Sequence, residues 1–260
     1  MTQFFQSGWQ VFDRDAALKG WLRHAVPEAI AAVADPAKAD WRCGGTWFAG
    51  VNALENDGDG AIGGSGPLRG AAVDFIAQSL GQHPGWDRGQ ISVIRPGYPQ
   101  PGPAEPPTAY AFRRDRDAAH VDGLLPVGPD KRRMLREPHG FVLGLPMSDC
   151  SEAASPLVVW EGSHAIIRAA FAKVLASHPP ETWPDIDLTD TYHTARRRCF
   201  AECRRVSVYA RPGAAYIVHR MALHGVNPWG QGAEAPPEGR VICYFRPEIQ
   251  GAPGAWLTDP

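Results

Sequence analysis

Ala118-Ala-His-Val-Asp-Gly123 and, much later in the chain, Ala222-Leu-His-Gly-Val-Asn227 decide how this sequence is read. Two imidazoles and one carboxylate can hold one face of an octahedral iron(II) and leave the opposite face open. Residues two apart on a β-strand point to the same side, so His120 and Asp122 at a strand end can aim at one metal. The third ligand has to come from a distant segment, because a neighbouring strand must carry it across the sheet. Two histidines compete for that place, His219 and His224. Five residues separate them, an odd number, so an unbroken strand would turn them to opposite faces.

Longer stretches extend the pattern. Phe141-Val-Leu-Gly-Leu-Pro-Met-Ser-Asp149 leads through a short polar loop to Ser155-Pro-Leu-Val-Val-Trp-Glu-Gly-Ser-His164. Gly213-Ala-Ala-Tyr-Ile-Val-His-Arg-Met-Ala-Leu-His-Gly-Val-Asn227 is followed by Gly239-Arg-Val-Ile-Cys-Tyr-Phe245. Over residues 88–247 the chain resembles the phytanoyl-CoA dioxygenase family. The order is the family's: His-x-Asp, a Gly-Ser-His turn, a His-Gly segment, then an Arg.

The resemblance implies a mainly β fold with flanking α-helices around a double-stranded β-helix, the jelly-roll or cupin-like core. It implies an oxygenase using iron(II), with 2-oxoglutarate and O2 as co-substrates. It selects His120, Asp122 and His224 as ligands and leaves His219 to support a ligand from behind or to pack; His164 in its turn is structural. Arg240 is the implied partner of the distal carboxylate of 2-oxoglutarate, because a buried carboxylate is costly unless a guanidinium fork matches it. Arg246 shares the parity of Arg240 and is the fallback. The chain departs from the family at Val226, where a Ser often helps hold that carboxylate. Asp122 sets it apart from related halogenases, which have a small residue there. Hydroxylation of a small molecule, with release of succinate and CO2, is the default reaction. The CoA-ester chemistry does not carry over, since no CoA-binding motif is matched.

Composition is that of an ordinary globular protein. With 260 residues, 44% hydrophobic and 21% charged, the chain reads as one domain, 1–260. The β-helix core is expected at 88–247 and a helical region at 1–87. Gly 28 and Pro 25 point to many turns. A net charge of -2 argues against a nucleic-acid partner. No apolar run approaches the ~20 residues that span a bilayer, and the N-terminus lacks signal-peptide regions. Five cysteines without a CxxC suit a reduced, cytoplasmic protein.

Apolar periodicity predicts helices over Asp15–Val33, Leu68–Leu80, Ala165–Ala176 capped by Ser163, and Thr189–Cys203. In the first of these, Leu18, Trp21, Leu22, Val26, Ile30 and Val33 form the apolar stripe and Pro27 a kink or break. Strands are expected at 89–94, 118–122, 140–147, 157–160, 205–210, 215–219 and 240–245. Gly58-Asp-Gly-Ala-Ile-Gly63 fits a dinucleotide fingerprint in letters only, lacking the strand before it and the helix after it. Asp57 and Asp59 in the same stretch lack the glutamate of a calcium loop. It reads as a flexible loop and a candidate active-site cover. His24, His83, His139, His178 and His193 have no partner at ligand spacing and are read as surface or loop residues. Lys131–Arg136, Arg196–Arg198, Arg204-Arg205 and Arg113-Arg114 read as solvated surface, or as a contact for an anionic substrate group. Two rival functions remain: a cupin-like metal enzyme that does not use 2-oxoglutarate, and a non-catalytic metal-binding or sensory protein.

Overall fold

The computed structural model describes residues 2–82, 85–251 and 254–259. In chain order the elements are α1 (Gln3–Ser7), β1 (Trp9–Phe12), α2 (Ala16–Ala34), β2 (Trp41–Arg42), β3 (Trp47–Gly50), α3 (Ala71–Ser79), β4 (Gln90–Ile94) and α4 (Pro107–Asp115). There follow β5 (Leu124–Val127), β6 (Arg132–Leu135), β7 (Phe141–Pro146), β8 (Leu157–Trp160), α5 (Ser163–Leu175) and α6 (Thr189–Glu202). The last are β9 (Arg205–Val208), β10 (Ala215–His219), β11 (His224–Val226), β12 (Arg240–Phe245) and α7 (Ala255–Thr258). An antiparallel sheet of order β1-β10-β7-β12-β4-β3-β2 faces a smaller one of order β11-β8-β9, and β5-β6 form a separate hairpin. This is a jelly roll with helices on its outer faces.

Strand parity builds the layers. Phe141, Leu143 and Leu145 of β7, with Val241, Cys243 and Phe245 of β12, turn outward and pack with Leu18, Trp21 and Ile76 of α2 and α3. Leu143 and Phe245 have no exposed surface, and each such burial stabilises by roughly 1.5–3 kcal/mol. The alternate residues, Val142, Tyr216, Val218 and Ile242, meet Leu157, Val159 and Val208 of the small sheet. Val158 and Trp160 turn the other way, against α5 and α6. Arg240, Ile242 and Tyr244 therefore share the face that looks between the sheets. Gly144 has to lack a side chain, because a Cβ there would lie 2.1 Å from the Tyr216 ring.

Several local expectations are corrected. Residues 118–122 form no strand: His120 alone makes a bridge, to His224. Positive φ at Asp117 (55°), Ala118 (52°) and Gly123 (83°) turns the chain on both sides of it. Region 1–87 is not purely helical, since β1, β2 and β3 join the large sheet. Helix α2 begins after Asp15, whose side chain accepts from Leu18 N–H at 2.7 Å, and Pro27 lies inside it without ending it. It buries Ala25, Ala29 and Ala32, while Ile30 stays 40% exposed, because alanines let the helix approach its neighbours closely. Ser163 does not cap α5: Gly162 holds that place, and the Ser163 hydroxyl accepts from Leu223 N–H at 2.8 Å.

Candidate metal centre

Two segments far apart in the sequence, one mid-chain and one near its C-terminal end, place the histidines side by side. His120 N–H donates to the His224 carbonyl at 2.8 Å and His224 N–H to the His120 carbonyl at 3.0 Å. The ring centroids lie 4.7 Å apart. Each ring is turned by its own backbone: Nδ1 of His120 faces Ala118 O at 3.0 Å, and Nδ1 of His224 faces Ala222 O at 2.9 Å. A carbonyl only accepts, so Nδ1 carries the hydrogen and Nε2 keeps its lone pair, the form that binds metals. Val121 turns into the apolar layer beside α6, which leaves Asp122 on the same side as His120. Asp122 Oδ1 is 3.2 Å from His120 Nε2, and Oδ2 is 3.7 Å from His224 Nε2. Among the described residues these three alone form a group whose ligand atoms all lie within 4.8 Å of one another.

The electrostatics suit a cation. Burial pushes the His224 pKa down to about 4, so the ring is neutral and open to a metal. Burial opposes charge on Asp122, but His120, His224 and Arg246 outweigh it and hold the carboxyl well below its usual range. Burial also opposes charge on His120, and there too Asp122 prevails and raises the pKa. The His120 side chain keeps 51% of its surface open to the cavity around it. Arg246 Nη1 stands 3.5 Å from Asp122 Oδ2, while its Nη2 donates to Gln90 Oε1.

A clamp behind the triad fixes the two segments together. Arg205 donates to both oxygens of Asp117, at 2.8 and 2.6 Å, and to Asn227 Oδ1 at 2.6 Å. Asp117 O accepts from Val226 N–H at 2.9 Å. Gly225 permits this approach, because a Cβ there would lie 2.1 Å from Asp117 O.

Two cavities meet at the triad. The inner one, about 240 Å³, is lined by all three residues and by Val142, Leu157, Val226 and Tyr244 of the inter-sheet space. The outer one, about 400 Å³, has His120 and Asp122 on one wall and residues of α4, β5, β6 and α6 on the others.

Arg240 does not line the inner cavity; Tyr244 stands between. The Arg240 Nη2 lies 3.5 Å from the Tyr244 hydroxyl, which accepts from the Tyr216 hydroxyl at 3.0 Å. Arg240 is buried, its Nη1 has no hydrogen-bond partner, and it makes no ion pair among the described residues. A buried guanidinium without an anion is expensive, so this position fits an incoming carboxylate. Tyr244 and Tyr216 escaped the sequence reading, although Tyr244 shares the parity of Arg240 on β12. The fallback, Arg246, is committed to Asp122 and Gln90.

The remaining histidines lie apart from the triad. His219 is buried against Phe4 and His164, with Arg168 Nη2 at 2.9 Å from its Nε2. His164 is in the first turn of α5, as a structural residue. His24 and His178 are exposed, His193 is half-buried, and His83 lies outside the described residues. His139 is buried, not on the surface, with Glu137 at 3.2 Å. The loop at 58–63 lines neither cavity; it is held on α2, where Trp21 Nε1 donates to Gly60 O at 2.7 Å. No described helix is long and apolar enough to cross a membrane.

No protein-family model and no curated protein sequence matches this chain. Among solved structures it is similar to the epimerase SnoN in complex with Fe3+, alpha ketoglutarate and nogalamycin RO. The TM-score is 0.51 at 13% identity, over 99% of this chain and 87% of that one. The carbocyclase SnoK from nogalamycin biosynthesis gives 0.49 at 12% identity, covering 95% of this chain and 85% of SnoK. EctD from S. alaskensis with bound Fe gives 0.47 at 14%, covering 94% and 73%. At such identities the likeness to SnoN speaks for the jelly-roll fold and not for an activity.

Proposed function

We propose that this chain is an iron(II)- and 2-oxoglutarate-dependent oxygenase acting on a small molecule, with hydroxylation as its reaction. The observation that carries the reading is the buried Arg240 guanidinium, short of an anion on the inter-sheet face of β12 and separated by Tyr244 from the cavity that His120, Asp122 and His224 line. SnoN, which is similar in fold, is described with Fe3+ and alpha ketoglutarate.

In this reading His120, Asp122 and His224 hold the metal through Nε2, a carboxylate oxygen and Nε2. Iron(II) bound there, with 2-oxoglutarate and O2 as co-substrates, would supply the oxidising power for C–H hydroxylation, with succinate and CO2 as co-products. Arg240 takes the distal carboxylate of 2-oxoglutarate, and the Tyr244 hydroxyl serves where Val226 replaces the family's Ser. Val142, Leu157 and Val226 keep water from the space between. Arg246 and Gln90 hold Asp122 ready as a carboxylate, and the outer cavity receives the substrate beside His120.

The visible spectrum of the anaerobic protein with iron(II), before and after 2-oxoglutarate, tests this. A new metal-to-ligand charge-transfer band is expected. Iron binding without the band would move the assignment to a cupin-like metal enzyme that does not use 2-oxoglutarate. The band without succinate formation under O2 would leave a sensory role.

A further inference from the structure

The outer cavity holds two guanidiniums that no carboxylate among the described residues answers. Four guanidiniums line it: Arg113, Arg133, Arg196 and Arg246. Two of them are committed, Arg113 to Glu105 and Arg246 to Asp122. Arg133 and Arg196 make no ion pair among the described residues, whereas their neighbours Arg132, Arg136 and Arg198 are paired with Asp187, Asp185 and Glu202. The basic runs of the sequence thus divide by direction. Within these two runs Arg132, Arg136 and Arg198 find acids, exposed Arg197 bonds Thr194, and the cavity-lining Arg133 and Arg196 find none among the described residues. The other acid on the cavity wall, Glu137, is joined to His139 at 3.2 Å.

Arg196 is also oriented. Its guanidinium lies 4.7 Å from the Phe112 ring centroid and 5.2 Å from that of Tyr192. A guanidinium stacked on rings keeps its N–H groups in plane for a bidentate acceptor. Arg133 spends one nitrogen on a long contact of 3.4 Å to Leu124 O. Cations in a concave site with low-dielectric walls concentrate their field there. Ala109, Phe112, Leu124, Leu125 and Pro126 make up much of the rest of the wall.

We propose that the outer cavity is the substrate site for a small molecule with an oxyanion group, carboxylate or phosphate, on an apolar body, anchored by Arg133 and Arg196. The inference rests on the reading of the triad as the reaction centre, since the anchored molecule shares its cavity with His120 and Asp122.

Calorimetric titration of the anaerobic protein loaded with iron(II) and 2-oxoglutarate tests it, using three probes of one shape: 3-phenylpropionate, 2-phenylethyl phosphate and uncharged 3-phenylpropanamide. At least one anion is expected to bind, and the amide at least about tenfold more weakly, as loss of one charge-assisted contact implies. Whichever anion binds tells carboxylate from phosphate. Arg133→Gln and Arg196→Gln should each weaken it by about tenfold or more, while Arg197→Gln, an exposed neighbour bonded to Thr194, should not. Amide and anions bound alike, no anion bound, or binding indifferent to both arginines would overturn the proposal. The charge-transfer band is read in the same samples. A missing band with anion binding intact counts against the oxygenase reading alone, and the reverse against the anion site alone.

Discussion

Each candidate histidine ligand is oriented by a carbonyl two residues before it, so the choice between His224 and His219 is made by the backbone. His219 Nδ1 accepts from Met221 N–H at 2.9 Å and its Nε2 faces Arg168 Nη2 at 2.9 Å, so neither nitrogen is turned to the triad. His224→Ala is therefore expected to lose iron(II), while His219→Ala retains it in the folded fraction; metal content per folded protein after desalting decides. Arg240→Gln should leave iron binding in place and weaken 2-oxoglutarate by roughly 1.5–3 kcal/mol, one charge-assisted contact. A charge-transfer band with unchanged half-saturation would refute the role given to Arg240. The candidate triad was legible from residue type together with the family resemblance, although the strand assumed at 118–122 is absent. The Tyr216–Tyr244 pair was not, since it joins side chains of two strands whose pairing with β7 only the folded sheet supplies.

At the scale of elements, the site depends on β11 and the non-strand segment 117–122 lying closer than side chains allow. Gly225→Ala should cost about 1–3 kcal/mol by overpacking against Asp117 O and should impair metal retention. Gly58→Ala, whose Cβ would meet nothing within 4 Å, should change the thermal midpoint little. Equal midpoints and metal contents for the two variants would show that the Asp117 clamp does not hold the site. Strands buried on both faces, β7 and β8, announced themselves as continuous apolar runs. Edge strands did not: β2 is two residues long, and β1 is half-buried throughout. The expected strand at 118–122 failed because periodicity does not register positive φ at Asp117 and Ala118.

Across the whole molecule, His219 lies where α1, α5 and the large sheet come together, beside Phe4, His164 and Arg168. Burial first, and then the charge of Arg220, with His164 and Arg168, keep its pKa well below the ordinary value. The unfolded chain therefore takes up this proton at a higher pH than the folded one does. The stability due to the neutral ring is complete above about pH 6.5 and declines as pH falls from there towards the folded pKa, by up to about 1.4 kcal/mol per unit. Thermal midpoints from pH 7.5 to 5 should fall, and fall less steeply in His219→Gln. Parallel profiles for the two proteins would assign the acid sensitivity elsewhere.

The sequence by itself made the alternation of the buried strands legible, because that is a local property, and the resemblance of its motifs singled out His120, Asp122 and His224 as candidate ligands. Tertiary structure alone decided which arginines lack acids. Arg133 and Arg132 are neighbours in one basic run, yet strand β6 turns one to the cavity and the other to Asp187. Likewise Arg240, at the start of β12, and Arg246, just past its end, share parity in the sequence, and the packing of Asp122 against Arg246 distinguishes them. Charge is written in the sequence, but its neutralisation depends on distance, and distance between remote segments exists only once the chain has folded.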